Sequence, residues 1–250
     1  MRNAIEVNQT SISYSLSSHN HIIFAKTSLA SQVDRSPKQN ELPGEYGKFL
    51  TLNSINWLLE ENIPMGRLAL ASQVHGSDIM YVNSPSVYQN IDGFYTDCPE
   101  IYLTIRTADC AAVFVSVPEI PAVGIAHVGW RGARLNIVGN LIEQIMKRWS
   151  VDPVLFRIAV SPHIRNCCYS VGNEFNEYFQ TQYLQRHNNQ LHLDLEKVII
   201  DQLETSGIDR ENLSVSADCT SCSNLPLYSY RAQQKTSNRL LSIICIQHQK

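Results

Sequence analysis

Apolar and polar positions along this chain step in short, strand-like runs more often than in helical ones. Between residues 67 and 128 five apolar runs follow one another: RLALAS, DIMYV, IYLTI, AAVFVSV and PAVGIAHV. Their lengths and their β-branched and aromatic content predict strands, broken by turns at SPS, DG, CPE and PEIP. VLFRIAV, LSVSA, LPLYSY and LLSIICI predict further strands downstream. Two long stretches instead repeat at the helical period. Residues 48–61 put Phe49, Leu52, Ile55, Leu58 and Leu59 on one face. Residues 133–149 do the same with Leu135, Val138, Leu141, Ile142, Ile145, Met146 and Trp149. Shorter helices are expected near 171–178 and at 194–206, the second closed by Gly207. The polar segment 31–47 carries two prolines and two glycines and reads as an exposed loop. No long-period repeat occurs. The pattern predicts an α+β fold, with largely mixed or antiparallel β-sheets flanked by helices, in one domain over residues 1–250.

Composition narrows the function classes. Hydrophobic residues make up 44% of the 250, enough for a sizeable core. The net charge is −3, so no global basic field draws the chain to nucleic acid or anionic lipid, and neither partner is expected. The first twenty residues lack the apolar core of a signal peptide, and no run is long enough to cross a bilayer. Seven cysteines is an odd count without framework-like spacing. A reduced, cytoplasmic protein is expected, with thiols free to ligate or react.

Three residues stand in small, unusual contexts. His75 lies in SQVHGSD after a strand-like run, Cys110 in RTADCAAV at the mouth of another, and His127 in GIAHVGWRG at the end of a third. Strand ends can converge on one rim. Two imidazoles and a thiolate suit zinc, and three protein ligands leave a fourth position open for chemistry. An ordinary hydrogen-bonded histidine and an ordinary core cysteine would look alike in isolation, and separations of 35 and 17 positions match no short zinc motif.

Taken in order, the blocks SQVHG, DGFYTD, TADC, AHVGWRG, SPHIRNCCYSVG and SYR…TSNR resemble those of the YfiH-like family. Its members were long called multicopper polyphenol oxidases or laccase-domain proteins. They are now regarded as zinc-dependent purine nucleoside phosphorylases that also deaminate adenosine. The resemblance runs from about Arg67 to the C-terminus. It implies a toxin-deamidase-like layered fold, a monomer or weak homodimer, and purine nucleosides (adenosine, inosine, methylthioadenosine) with phosphate as substrates. It also implies that His75, Cys110 and His127 are the zinc ligands, the same three that the residue reading singles out. The chain departs from the family at SPHI for GPxI, at Ala232 and Asn238, and at FAKTSLASQVDRS, where an arginine and a glycine pair are usual.

Neighbouring residues complete the expected site. Arg131, between Gly129 and Gly132 and just before the long helix, is the first choice for holding phosphate. Asp109 is a candidate acid/base, or a support for a ligand imidazole, beside the catalytic candidates Cys110 and His127. Gln73, two residues before His75, is a candidate substrate contact on the same side of a strand. Arg231 is another, in the C-terminal block. Asp92 and Gly93 read simply as a turn. Cys219 and Cys222 form a CxxC, and Cys167 and Cys168 are adjacent. They are not expected to form a second zinc site, because vicinal cysteines ligate one ion awkwardly and no further CxxC exists. Three rival functions remain: a copper phenol oxidase, a hydrolase or amidase with Cys110 as nucleophile and His127 as base, and a non-enzymatic zinc-sensing protein. Against copper, a multicopper oxidase needs many more histidines than the chain places together, and five of its eight (His19, His21, His187, His192 and His248) are scattered in polar surroundings.

Overall fold

The computed structural model describes residues 5–17, 22–30 and 46–247. Most of the expected loop at 31–47, the later part of the FAKTSLASQVDRS segment, and His19, His21 and His248 lie outside the described residues. The strands are β1 (Ile5–Val7), β2 (Ser11–Tyr14), β3 (Ile22–Ser28), β4 (Leu68–Ser72), β5 (Ile79–Tyr81), β6 (Ser86–Gln89), β7 (Gly93–Thr96) and β8 (Tyr102–Thr107). They continue with β9 (Ala111–Val117), β10 (Ala122–Val128), β11 (Arg157–Val160), β12 (Ser170–Val171), β13 (Leu184–His187), β14 (Gln190–Leu193), β15 (Leu213–Val215) and β16 (Leu240–Gln247). The helices are α1 (Leu52–Glu60), α2 (Trp130–Arg134), α3 (Ile137–Trp149), α4 (Phe175–Tyr178) and α5 (Leu195–Thr205).

A seven-stranded sheet runs β1-β2-β3-β16-β8-β4-β6, and a six-stranded sheet runs β15-β11-β9-β10-β7-β5. Both mix parallel and antiparallel pairs, and a small third sheet runs β12-β14-β13. The two large sheets face each other. In β9, Ala112 and Phe114 point into the core between them, while Ala111, Val113, Val115 and Val117 point to the opposite face. In β16, Leu240, Ile244 and Ile246 face the same inner core and Leu241, Ile243 and Cys245 face outward. Phe114 meets Tyr14 of the opposite sheet with ring centroids 4.7 Å apart. Helices seal the outer faces. Ile55, Trp57 and Leu58 of α1 cover the seven-stranded sheet, and α3 and α5 cover the six-stranded one. A layered α+β architecture follows, and it explains why these strands read as unbroken apolar runs: both of their faces are buried.

Several boundaries differ from expectation. The helix expected over 133–149 is two helices, because Asn136 adopts a left-handed conformation (φ 58°) between α2 and α3. Leu135, expected on the apolar stripe, is exposed at that break. In α1, Trp57, not expected on the apolar face, is buried beside Ile55 and Leu58, and Leu59, expected there, is exposed. The expected helix near 171–178 is a two-residue strand followed by one helical turn. LPLYSY packs Leu227 and Tyr228 into the core without joining a sheet. β6 and β7 lie between the turns expected at SPS, DG and CPE, where no strand is expected, each taking in the last residue of a turn block. α5 forms as expected, capped by Asp194, whose carboxylate accepts from the Lys197 N–H, and ended by Gly207 at φ 86°. No helix among the described residues is long and apolar enough to cross a membrane.

Candidate metal centre and active-site cleft

Strand register assembles the centre. β9 and β10 pair antiparallel with Val128 opposite Ala111, so Cys110, which precedes Ala111, lies beside Gly129. β10 also pairs antiparallel with β7, Ala126 opposite Gly93, and the His127 N–H donates to the Asp92 carbonyl at 2.7 Å. Asp92 and His127 thus become neighbours at one end of the sheet. The loop from β4 to β5 brings in His75, which sits at φ 61°. The ligand atoms of His75, Cys110 and His127 all lie within 4.8 Å of one another. The two imidazoles meet edge to face, centroids 4.7 Å apart. His75 is exposed, Cys110 half-buried and His127 buried, so the group opens to one side only. A Cβ on Gly129 would come within 2.9 Å of the Cys110 Sγ and 3.4 Å of His75, so the glycine keeps the thiol and imidazole clear. Two imidazoles and one thiolate converging on one point, with one side open, fit a zinc-type ion.

Asp92, read from the sequence as part of a turn, is the organiser of this group. Its side chain is fully buried and its Oδ1 lies 2.7 Å from the His127 Nδ1. It also accepts the backbone N–H groups of Val74 at 3.1 Å, His75 at 3.0 Å and Gly76 at 2.8 Å. One carboxylate therefore fixes the ring of one candidate ligand and the loop that carries another. Although burial opposes ionisation, the His127 contacts and these amides hold Asp92 below the usual carboxylate range. Burial alone would raise the Cys110 thiol, but His127 and His75 overcome it and bring Cys110 down to about 6. Burial disfavours the charged form of His127, yet Cys110 and Asp92 together lift it to about 9. The thiol is a thiolate at neutral pH, ready to ligate or attack.

The group stands in a cleft of about 510 Å³. Trp130, Tyr169 and Tyr230 give it aromatic walls, and Arg106, Arg131, Arg231 and Arg239 give it a positive rim in a chain of net charge −3. The Arg131 guanidinium lies over the Trp130 ring at 4.3 Å, inside the first turn of α2 rather than before a helix. Arg231 donates from Nη1 to the Ser170 carbonyl at 2.7 Å. Arg106 donates to the carbonyls of Phe49 and Ala71; burial and then Arg239 pull its pKa down to about 10, still protonated near neutrality. Gln73 reaches the cleft from the loop after β4, not from the strand, and its amide is engaged: Nε2 donates to the Arg106 carbonyl at 2.8 Å and Oε1 accepts the Arg106 N–H at 2.9 Å. Asp109 supports no imidazole. Its Oδ1 accepts from the Thr220 hydroxyl at 2.7 Å and its Oδ2 from the Arg231 N–H at 2.8 Å, tying the C-terminal block to the residue beside Cys110. The aromatic walls and Asp92 were missed by sequence reasoning. A carboxylate set in the run Ile91 to Thr96, otherwise without charge, was the available signal, since a buried carboxylate requires partners.

The cysteines set aside on sequence grounds come together in the fold. The Sγ atoms of Cys167, Cys168, Cys219 and Cys222 lie within 4.8 Å of one another, although Cys167 and Cys222 are 55 positions apart in sequence.

The purine nucleoside phosphorylase YlmD of Geobacillus stearothermophilus is 29% identical over 199 residues, covering 72% of this chain and 73% of the relative. The purine nucleoside phosphorylase of Aquifex aeolicus is 33% identical over 156 residues, covering 62% of this chain and 70% of the relative. Among solved structures, YlmD from Geobacillus stearothermophilus superposes with TM-score 0.85 at 21% identity, covering 98% of this chain and all of that one. The Bacillus licheniformis hypothetical protein YfiH gives 0.83 at 24% identity, covering 96% and 98%. These likenesses carry the layered fold across nearly the whole chain. The family model described as multi-copper polyphenol oxidoreductase laccase matches residues 52–247, and the chain belongs to that family, the one that contains the YfiH-like proteins.

Proposed function

We propose that this chain is a zinc-dependent purine nucleoside phosphorylase that also deaminates adenosine. The observation that carries the reading is the union of one His75–Cys110–His127 group with a cleft of aromatic walls and four arginines. That cleft suits a flat base and an anion together, and the naming of the relatives points the same way. In this reading His75, Cys110 and His127 hold the ion. A zinc ion with three protein ligands supplies Lewis acidity at its open position.

The chain's own residues do the rest. Trp130, Tyr169 and Tyr230 stack on the purine. Arg131 and Arg231 hold phosphate as one of its oxygens bonds to C1′ of the ribose and the C1′–N9 bond breaks, the electron pair leaving with the purine. In deamination a water adds to C6 of adenine and ammonia leaves. Asp109 is the only carboxylate among the described residues lining the cleft, so proton transfer is assigned to it. Gln73 acts by holding the Arg106 backbone beside the cleft.

The test incubates purified protein with adenosine or inosine, with and without phosphate, and identifies products by mass spectrometry. Ribose 1-phosphate with free purine is expected only when phosphate is present, and inosine from adenosine in either case. His75→Ala should lose both activities together with the zinc held by the His75–Cys110–His127 group, and full activity in that variant would overturn the assignment. A second reading, a Cys–His hydrolase or amidase, draws on the Cys110 thiolate beside His127. It requires turnover in metal-free protein that alkylation of Cys110 abolishes. Copper bound in place of zinc, with oxidation of phenols, would favour the phenol oxidase reading.

A further inference from the structure

We infer that Cys167, Cys168, Cys219 and Cys222 form a second metal site, a closed four-thiolate zinc centre separate from the His75–Cys110–His127 group. All four Sγ atoms lie within 4.8 Å of one another, with Cys167 and Cys222 at 3.8 Å. Zinc–sulfur bonds of about 2.3 Å in a tetrahedron set the ligand sulfurs about 3.8 Å apart, so the cluster closes on an ion by less than about 1 Å per edge.

Two turns make this possible and answer the objection to vicinal ligands. The first folds at Arg165, whose carbonyl accepts the N–H of both Cys168 and Tyr169 at 2.9 Å, so successive thiols reach the same side. In the second, the N–H of Cys222 at 3.3 Å and of Ser223 at 2.9 Å donate to the Cys219 carbonyl, which folds CxxC into a knuckle. The Arg165 N–H also points at the Cys219 Sγ at 3.5 Å, a contact that favours a charged thiolate. Cys219 is buried while Cys167 and Cys222 are exposed, and the group opens on a surface hollow of about 540 Å³ that gives an ion a way in. Arg165, paired with Glu196 at 2.8 Å, lines the same hollow. Four thiolates fill the coordination sphere of zinc and leave no open position, which marks a structural centre rather than a catalytic one.

Such a centre would brace the cleft. Tyr169, next to Cys168, forms a cleft wall, and Thr220, inside the CxxC knuckle, holds the Asp109 carboxylate at 2.7 Å. Arg231 is tied to Ser170, two positions beyond Cys168. An ion joining the two turns fixes these residues relative to one another, a task the backbone alone leaves to a bridge between His163 and Cys219.

The experiment is metal analysis of protein purified with zinc and a phosphine reductant and then freed of loosely held ions. Two zinc equivalents per chain are expected in the wild type, one in His75→Ala, and one in the Cys167→Ser/Cys222→Ser double variant, whose substituted side chains are exposed. Cobalt(II) loaded into His75→Ala should give the intense sulfur-to-metal charge-transfer absorption of a four-thiolate site, lost when the two serines are added. A wild-type protein with a single equivalent, removed by His75→Ala and untouched by the serines, would overturn the inference. So would two equivalents that survive the cysteine substitutions, or a Cys167–Cys222 disulfide in the reduced preparation.

Discussion

The Asp92 Oδ1 lies 2.7 Å from the His127 Nδ1, both side chains buried, while the same carboxylate gathers the amides of Val74, His75 and Gly76. With Nδ1–H donated to Asp92, Nε2 is the nitrogen that would give up its proton to an ion and serve as the ligand. Asp92→Asn turns that acceptor into an amide whose N–H₂ favours the opposite tautomer, with the proton on Nε2. Zinc affinity at the His75–Cys110–His127 group should fall about 10- to 100-fold, with activity following it. Competition with a chromophoric chelator reads the affinity. Unchanged affinity would mean that Asp92 does not set the tautomer.

Gly129 tests the same centre from the other side. Its φ of −90° suits any residue, so Ala there is resisted by contact alone: a Cβ 2.9 Å from the Cys110 Sγ and 3.4 Å from His75. Cys110 is short and tethered to β9, so it cannot retreat without moving the strand. Gly129→Ala should cost about 1–3 kcal/mol of stability by overpacking. More telling, it should lower zinc occupancy at this group in protein that still folds by circular dichroism. An alanine variant with full metal content would show that the ligands sit further apart than described.

What could be read from the chain follows a physical division. The runs that became β4, β8, β9, β10 and β16 are buried on both faces between layers, so their patterns are continuous and plain. The short β7 hid behind Asp92 and Gly93, a turn-like pair, although Gly93 is there for packing: a Cβ would meet Ile79 at 3.0 Å and the Ile125 carbonyl at 3.4 Å. The helix break at Asn136 was invisible because apolar spacing continues through it. His75, Cys110 and His127 were legible as residues of unusual context, and their convergence required the strand register. The four cysteines are the harder case. Adjacency of Cys167 and Cys168 argued against a metal only for an extended backbone, and the turn at Arg165 removes that objection. Long-range assembly of short local turns leaves no periodic trace in sequence.

Arg131 separates the two proposed reactions. Its guanidinium lies over Trp130 at the cleft mouth, and it is exposed and free to meet an anion. A charge-assisted hydrogen bond contributes about 1.5–3 kcal/mol, so Arg131→Ala should reduce kcat/KM for phosphate roughly 10- to 100-fold. Adenosine deamination uses water and should change little. Equal loss of both activities would indicate that Arg131 holds the nucleoside, not the phosphate.

His163 sets an acid limit on stability. It is fully buried; its Nδ1–H donates to the Ser161 carbonyl at 2.9 Å and its Nε2 has no hydrogen-bond partner. Burial pulls it down to about 4, and Arg165 adds to the effect against the Ser161 contact. In the unfolded chain the group titrates near the ordinary value of about 6.5. Between these values the unfolded state binds the extra proton, so stability falls as pH drops below about 6.5 and levels off below about 4. The group accounts for about 3 kcal/mol over that window. His163→Asn retains a donor toward the Ser161 carbonyl and cannot charge. Urea titrations at about pH 7.5 and about pH 4.5 should therefore show a smaller acid loss in the variant than in the wild type, by roughly that amount. Parallel losses in the two proteins would mean that His163 accepts its proton in the folded state.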